Sequence, residues 1–202
     1  MDQRAFRAIS AAALPALLAA RIPSGIARVA IDGPPCAHPH ELAVTIAEAV
    51  HATRPVAQVR ADTFWRDASL RLEYGRHDLE SYLHWLDADA LRREVLESVL
   101  DSHYYLPSLR DPKTNRSTRE PARTADPRTA LLVSGTFLLG RELPFDLTIH
   151  LAVSPAARAR QTPEDEAWTL PAFDEYDASV RPQDVADLVI RYDHQRSPAL
   201  RG

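Results

Sequence analysis

Short apolar runs alternating with amphipathic stretches set the plan of this chain. Ile26–Ile31 (IARVAI) is apolar apart from Arg28 and is stopped by Asp32-Gly33-Pro34-Pro35, which reads as a buried strand entering a loop. From His40 to His51, Leu42, Ile46, Ala49 and Val50 fall on one helical face. Pro55 resets the chain. Val56–Arg60 (VAQVR) predicts a second strand, with Asp62-Thr63-Phe64-Trp65 just beyond its carboxyl end. A helix is predicted over Leu79–Leu100, where Leu83, Leu86, Leu91, Val95 and Leu96 run in phase. Residues 104–128, rich in proline and arginine, read as a hairpin or functional loop. Leu131–Ser134, Phe145–Val153 and Asp187–Tyr192 predict three further strands.

Near-continuous apolar strands separated by helices specify a parallel sheet buried on both faces. The expectation is therefore an α/β fold: a five-stranded parallel sheet between two helical layers, in one domain over 1–202 with a small lid near 155–180. Ligands of such sheets bind beyond the carboxyl ends of the strands. Those ends carry Asp32-Gly33, Asp62, Ser134-Gly135 and Ser154-Pro155.

Composition narrows the function classes. A chain of 202 residues, 45% apolar and 26% charged, has enough apolar side chains for a proper core. Its net charge of -4, with arginines mixed among acids, gives no footprint for nucleic acid. The single cysteine, Cys36, rules out an internal disulfide and points to a reducing, cytoplasmic setting. No apolar run reaches the length of a membrane span. Ala11–Ala20 looks superficially like a leader core, but Asp2, Arg4, Pro15 and Arg21 favour a short amphipathic helix within 1–22.

The segment Gly33-Pro34-Pro35-Cys36-Ala37-His38-Pro39-His40 lies between strand and helix, where a phosphate-binding loop of the form G-x-x-x-x-G-K-[ST] belongs. Gly33 fits the first glycine. His38, Pro39 and His40 stand at the other three signature positions. Here the chain resembles actinobacterial uridine kinases and related P-loop nucleoside kinases, along almost all of its length. Asp62-Thr63-Phe64 is similar to the D-x-F segment of that family, and Leu86-Asp87-Ala88-Asp89-Ala90-Leu91 to its F-D-x-x-x-L segment. Arg110-Asp111 through Arg116 falls at its Y-D…R substrate hairpin, without the tyrosine. Leu131–Leu139 (LLVSGTFLL) matches L-L-V-E-G-x-F-L-L with Ser134 for Glu, and Ala186–Asp193 resembles the terminal A-D-x-V-I…D strand.

The resemblance implies a P-loop kinase-like three-layer fold, ATP and Mg²⁺ as cofactors, and a small nucleoside or nucleotide as partner. It makes Asp62 the base for the nucleoside 5′-hydroxyl, and places Phe64, Asp87, Asp111 and Arg116 around substrate. Arg158 and Arg160 become the arginines of an anion-clamping lid. The departures cut against phosphoryl transfer. Pro39 removes the signature lysine and one amide donor, His38 brings a ring where glycine is usual, and His40 replaces a hydroxyl ligand of Mg²⁺. Ser134 removes a carboxylate near the metal, and Glu164-Asp165-Glu166 makes the lid acidic.

Each residue also has a plainer reading. His38 and His40 could hold a transition metal with Asp32, Asp62 or Glu41, or simply fill the space of a phosphate. Asp62 could cap a helix or pair with Arg60 or Arg66, and Asp87 and Asp89 could start the next helix. Trp65, Tyr74, Tyr82, Trp85, Tyr104 and Tyr105 could stack on a base or belong to the core. Cys36 near a helix start could be activated or inert. The functional expectation is a nucleoside- or nucleotide-binding pseudokinase. The alternatives are a kinase with an atypical donor site and a metal-dependent enzyme using His38 and His40.

Overall fold

A computed structural model describes residues 5–202. Among the described residues, nine strands form two sheets: β1 (Arg7–Ala8), β2 (Ala27–Asp32), β3 (Val56–Arg60), β4 (Tyr104–Tyr105), β5 (Arg123–Thr124), β6 (Ala130–Gly135), β7 (Leu147–Ala152), β8 (Leu188–Arg191) and β9 (Ala199–Arg201). The main sheet has the order β1-β9-β8-β7-β2-β6-β3. Its five strands β8, β7, β2, β6 and β3 are parallel and coincide with the five expected ones.

The sheet nevertheless has seven strands rather than five. β9 and β1 add antiparallel pairings at the β8 edge, three and two residues long. Segments this short carry no readable periodicity; backbone pairing to an existing edge defines them. The N-terminal segment correspondingly contains β1 and only a six-residue helix, α1 (Leu14–Ala19). The part of the expected 1–22 helix before Ala5 lies outside the described residues.

Both faces of the sheet are covered because its central strands are apolar on both sides. Val29, Ile31 and Leu132 join one core with α1 and α2 (Pro39–His51). Ala30, Leu131 and Val133 face the other way and pack beneath the aromatic and leucine-rich layer. That layer begins with α3 (Ala68–Arg71) and α4 (Leu79–Leu83), and the long helix expected over Leu79–Leu100 is broken after Leu83. Trp65 and Leu86 bridge as extended backbone, and Asp87 then caps a new start by accepting from the Ala90 N–H. The helix resumes as α5 (Ala88–Leu91), a π-helical stretch (Arg92–Glu97) and α6 (Ser98–Asp101). Leucine phase survived the interruption, which is why spacing alone did not reveal it.

Residues 104–128 form a hairpin closed by β4 and β5, with an inner bridge between Arg110 and Ser117. It is tied to the 3₁₀ turn that follows β3 (Ala61–Phe64) by the Leu109 and Arg110 amides, both donating to the Thr63 carbonyl. After β7 come α7 (Pro155–Gln161), a 3₁₀ segment (Glu164–Thr169), α8 (Leu170–Ser179) and α9 (Pro182–Val185). α8 lies against the second core through Ala172, Phe173 and Tyr176. The strands' carboxyl ends thus open between the β2–α2 loop, the segments carrying Trp65, Tyr82 and Trp85, and the 3₁₀ segment.

Candidate functional site

Parallel register brings the site together. Asp32 stands opposite Gly135, and Ser134 opposite Arg60, at one end of β2, β6 and β3. Two glycines permit the close approach: a Cβ on Gly33 would lie 2.8 Å from the Leu151 Cβ, and one on Gly135 2.6 Å from the Ala61 Cβ. Beyond these ends lies a cleft of about 500 Å³, bounded by Pro39 and His40 of the loop, Asp62, Thr136, and an aromatic wall containing Trp85 and Trp168.

The loop itself is turned inward. Pro35–Ala37 is a 3₁₀ turn in which the Ala37 and His38 amides donate to the Pro34 and Pro35 carbonyls at 2.9 Å each. The Gly33 amide donates to the Gly135 carbonyl at 3.1 Å. Pro34, Pro35 and Pro39 have no amide hydrogen at all. A phosphate cradle requires several free N–H groups converging on one point; here two of them, on Ala37 and His38, go to the loop's own carbonyls and a third, on Gly33, to β6. His38 holds a left-handed backbone (φ 51°, ψ 55°) at the signature's second glycine, and its Nδ1 lies 3.2 Å from Glu41 Oε1. Pro39 starts α2, where a missing amide is harmless.

The two positions that would meet a magnesium ion instead meet each other. His40 Nδ1 lies 2.7 Å from Ser134 Oγ, and Nε2 lies 3.9 Å from Asp62 Oδ2. Arg60 grips Asp62 through both oxygens, Nε to Oδ1 at 3.1 Å and Nη2 to Oδ2 at 2.5 Å. Burial pushes the His40 pKa down; Asp62 opposes this and Arg60 adds to it. A neutral ring satisfies its neighbours when the Ser134 hydroxyl donates to Nδ1 and Nε2 carries the hydrogen toward Asp62. A neutral imidazole, a hydroxyl and an arginine-bound carboxylate do not fit Mg²⁺, which asks for free oxygen ligands. Nor does a loop that lacks the signature lysine and turns its Ala37 and His38 amides onto its own carbonyls fit the ATP phosphates.

The other expected residues divide clearly. Phe64 is fully buried in the core behind the cleft. Asp87 caps α5 through the Ala90 amide. Asp111 organises the hairpin turn: it accepts from the Thr114 amide and hydroxyl and from the Lys113 amide, and these bonds hold its carboxyl below the usual range. Arg116 is exposed, its carbonyl accepting from the Asp111 amide at 2.8 Å. Asp87, Asp111 and Arg116 do not line the cleft around Asp62 and His40.

Arg158 is buried and doubly paired within the lid, to Asp177 at 3.0 Å and Asp174 at 2.5 Å, with its guanidinium 5.5 Å from the Phe173 ring centre. Arg160 is exposed and donates to the Ala156 carbonyl. Burial raises the Cys36 thiol pKa, with nearby Arg158 acting in the opposite direction; the net shift leaves it less nucleophilic than a free cysteine. Among the described residues, no group of three His, Cys, Asp or Glu is placed to hold a metal ion.

Two features escaped the sequence. Trp168, from the acidic 3₁₀ segment, joins Trp65, Tyr82 and Trp85: Tyr82 lies 4.9 Å from Trp85 and 5.2 Å from Trp168, and Trp65 lies 5.1 Å from Trp85. No local spacing connects these rings. Under the loop, Asp32 is wholly buried, accepting from the Leu138 amide (2.9 Å) and the Tyr176 hydroxyl (3.1 Å) and lying 2.7 Å from His150 Nδ1. Tyr176 in turn accepts from the Leu139 amide, and burial with the Asp32 charge drives its pKa well above the usual phenol value. Asp32 thus ties the root of the loop to α8 of the lid.

No family model matches the chain, and no curated protein matches it. Solved structures do. A possible uridine kinase from Bacillus stearothermophilus superposes with a TM-score of 0.72 at 18% identity, covering 89% of this chain and 96% of that one. A candidate fructose transport system kinase from Silicibacter sp. TM1040 gives 0.56 at 22% identity, covering 88% and 95%. The YGR205w protein gives 0.54 at 12%, covering 93% and 94%. At these identities the likeness establishes the fold. It agrees with the uridine kinase-like P-loop kinase resemblance carried by the order of the motifs.

Proposed function

We propose that this protein is a nucleoside-binding pseudokinase: a uridine kinase-like scaffold that keeps a ligand cleft and does little ATP-dependent phosphoryl transfer. One observation carries the reading. The β2–α2 loop turns its Ala37 and His38 amides back onto its own carbonyls in a 3₁₀ turn and has proline at three further donor positions. The direct His40–Ser134 bond, the Arg60 grip on Asp62 and the internally paired Arg158 support it, because each uses up a group that phosphoryl transfer would need. The cleft beside them remains open and has aromatic and hydrogen-bonding walls of the sort that suit a flat base with a sugar.

Calorimetry of the purified protein with Mg²⁺·ATP, at up to millimolar nucleotide and with uridine present, tests this. The expected result is no heat from ATP, a heat from the nucleoside alone, and no phosphorylated product. Micromolar ATP binding would overturn the pseudokinase reading and favour a kinase with an atypical donor site.

A further inference from the structure

We propose that the occupant of the cleft carries a positive charge on a flat ring, in the manner of an N-alkylated nucleoside base. The inference rests on the nucleoside reading and narrows its ligand. The aromatic wall is fixed before any ligand arrives. Behind it the buried Arg71 guanidinium lies 5.1 Å from the Trp65 ring centre and 4.7 Å from that of Trp85, held by an Nε hydrogen bond to the Arg66 carbonyl. The Trp85 indole N–H donates to the Arg71 carbonyl, and His77 sits 5.0 Å from Trp168. These rings have few rotamers left to lose, and indole faces attract cations most strongly of the aromatic side chains.

The charge around this wall points the same way. The cleft is lined by three carboxylates, Glu41, Asp62 and Glu166, against one guanidinium, Arg60, which is committed to Asp62. With the histidines left out and the Arg71 guanidinium behind the rings counted as well, one negative charge remains uncompensated. Burial favours the neutral form of His40. Glu166 stands near enough to Tyr82 for its charge to add to the burial that raises the Tyr82 pKa. A phosphate entering here meets a field of its own sign, whereas a cationic ring gains from both the indole faces and the carboxylates. The arrangement therefore selects against nucleotides and favours a cationic base over its neutral parent.

The test uses the full chain and a matched pair: adenosine methylated at ring nitrogen N1, a cation at neutral pH, and adenosine itself. Uridine is the third probe. All three tryptophans of the chain line the cleft, so intrinsic fluorescence reports its occupancy directly, alongside calorimetry. The methylated nucleoside is expected to bind about tenfold tighter than adenosine. Glu166→Gln, at an exposed position, is expected to abolish most of that preference while leaving thermal stability unchanged. Equal affinities, or a preference for adenosine, overturn the charge inference. Uridine binding as tightly as the cation, unaffected by Glu166→Gln, sinks it too but leaves the nucleoside reading standing. Cation binding by the methylated base without any binding of uridine or adenosine supports the charge inference and removes the general nucleoside reading. Silence from all three probes overturns both.

Discussion

The two ends of the cleft have been treated in opposite ways. At the loop end, the groups that would face a nucleotide have turned to one another: amide to carbonyl, His40 to Ser134, Arg60 to Asp62. At the aromatic end, side chains are braced from behind so that their open faces remain presented to the cleft, as Arg71 braces Trp65 and Trp85. Both ends are satisfied, but only the second is satisfied in a way that leaves something to bind with. A degraded site would leave buried polar groups without partners, at a cost of about 1–3 kcal/mol each. Among the described residues, no buried side-chain atom at the loop end lacks a partner, which fits an end that is stable without ligand.

Substitutions test that contrast, and the largest effect is expected beneath the loop. Asp32→Ala strips the Leu138 amide, Tyr176 and His150 of a shared buried acceptor, and should cost about 3 kcal/mol, lowering the melting temperature by roughly 6–12 °C. A shift under 2 °C by thermal denaturation (roughly half a kcal/mol) would show that the loop end is held by other means. Next, Arg71→Ala should cost about 2 kcal/mol and red-shift tryptophan emission as the wall loosens. Unchanged emission would mean that the rings need no brace.

His40→Gln is expected to cost about 1 kcal/mol at neutral pH through the Ser134 bond. It should also change the acid limb of the stability curve. Because burial depresses the His40 pKa in the fold, the unfolded chain takes up its proton first as pH falls through about 6.5, so stability declines below that point. The variant should show a flatter decline in urea titrations between about pH 7 and pH 5; an unaltered slope would place the ring outside this balance. The smallest effect is expected from Pro39→Lys. It restores the signature charge but leaves the Ala37 and His38 amides in their turn, so ATP binding should remain undetectable by calorimetry. Binding on this change alone would mean that charge, not loop geometry, separates the two ends.

The sequence was most legible where burial was continuous. β2 and β6 are apolar on both faces, so their runs mark them as central strands without any tertiary knowledge. β9 was not legible because Ala199-Leu200-Arg201 is defined by the edge it joins. Asp87 was ambiguous between sugar contact and helix start, and the structure uses its carboxylate as a cap. The loop's departures from the phosphate-binding pattern were plain in Pro39 and His40, but their mutual accommodation was not. The His40–Ser134 bond joins residues on different elements, as does the Asp32 network linking β2, β7 and α8. Trp168 was missed for the same reason: it joins Trp65, Tyr82 and Trp85, named from the sequence as possible stacking rings, only when the lid folds over the helical layer of the sheet.

The prolines of the loop carry one more implication. Pro34, Pro35 and Pro39 fix their φ angles even in the unfolded chain, so the segment gives up little conformational freedom on ordering and needs no ligand to hold it. A loop already held in one shape by its prolines has little room to signal occupancy. Any change that a ligand of the cleft imposes on the surface would therefore have to start at the wall formed by Trp65, Tyr82, Trp85 and Trp168, and not at the place from which kinases of this architecture take their name.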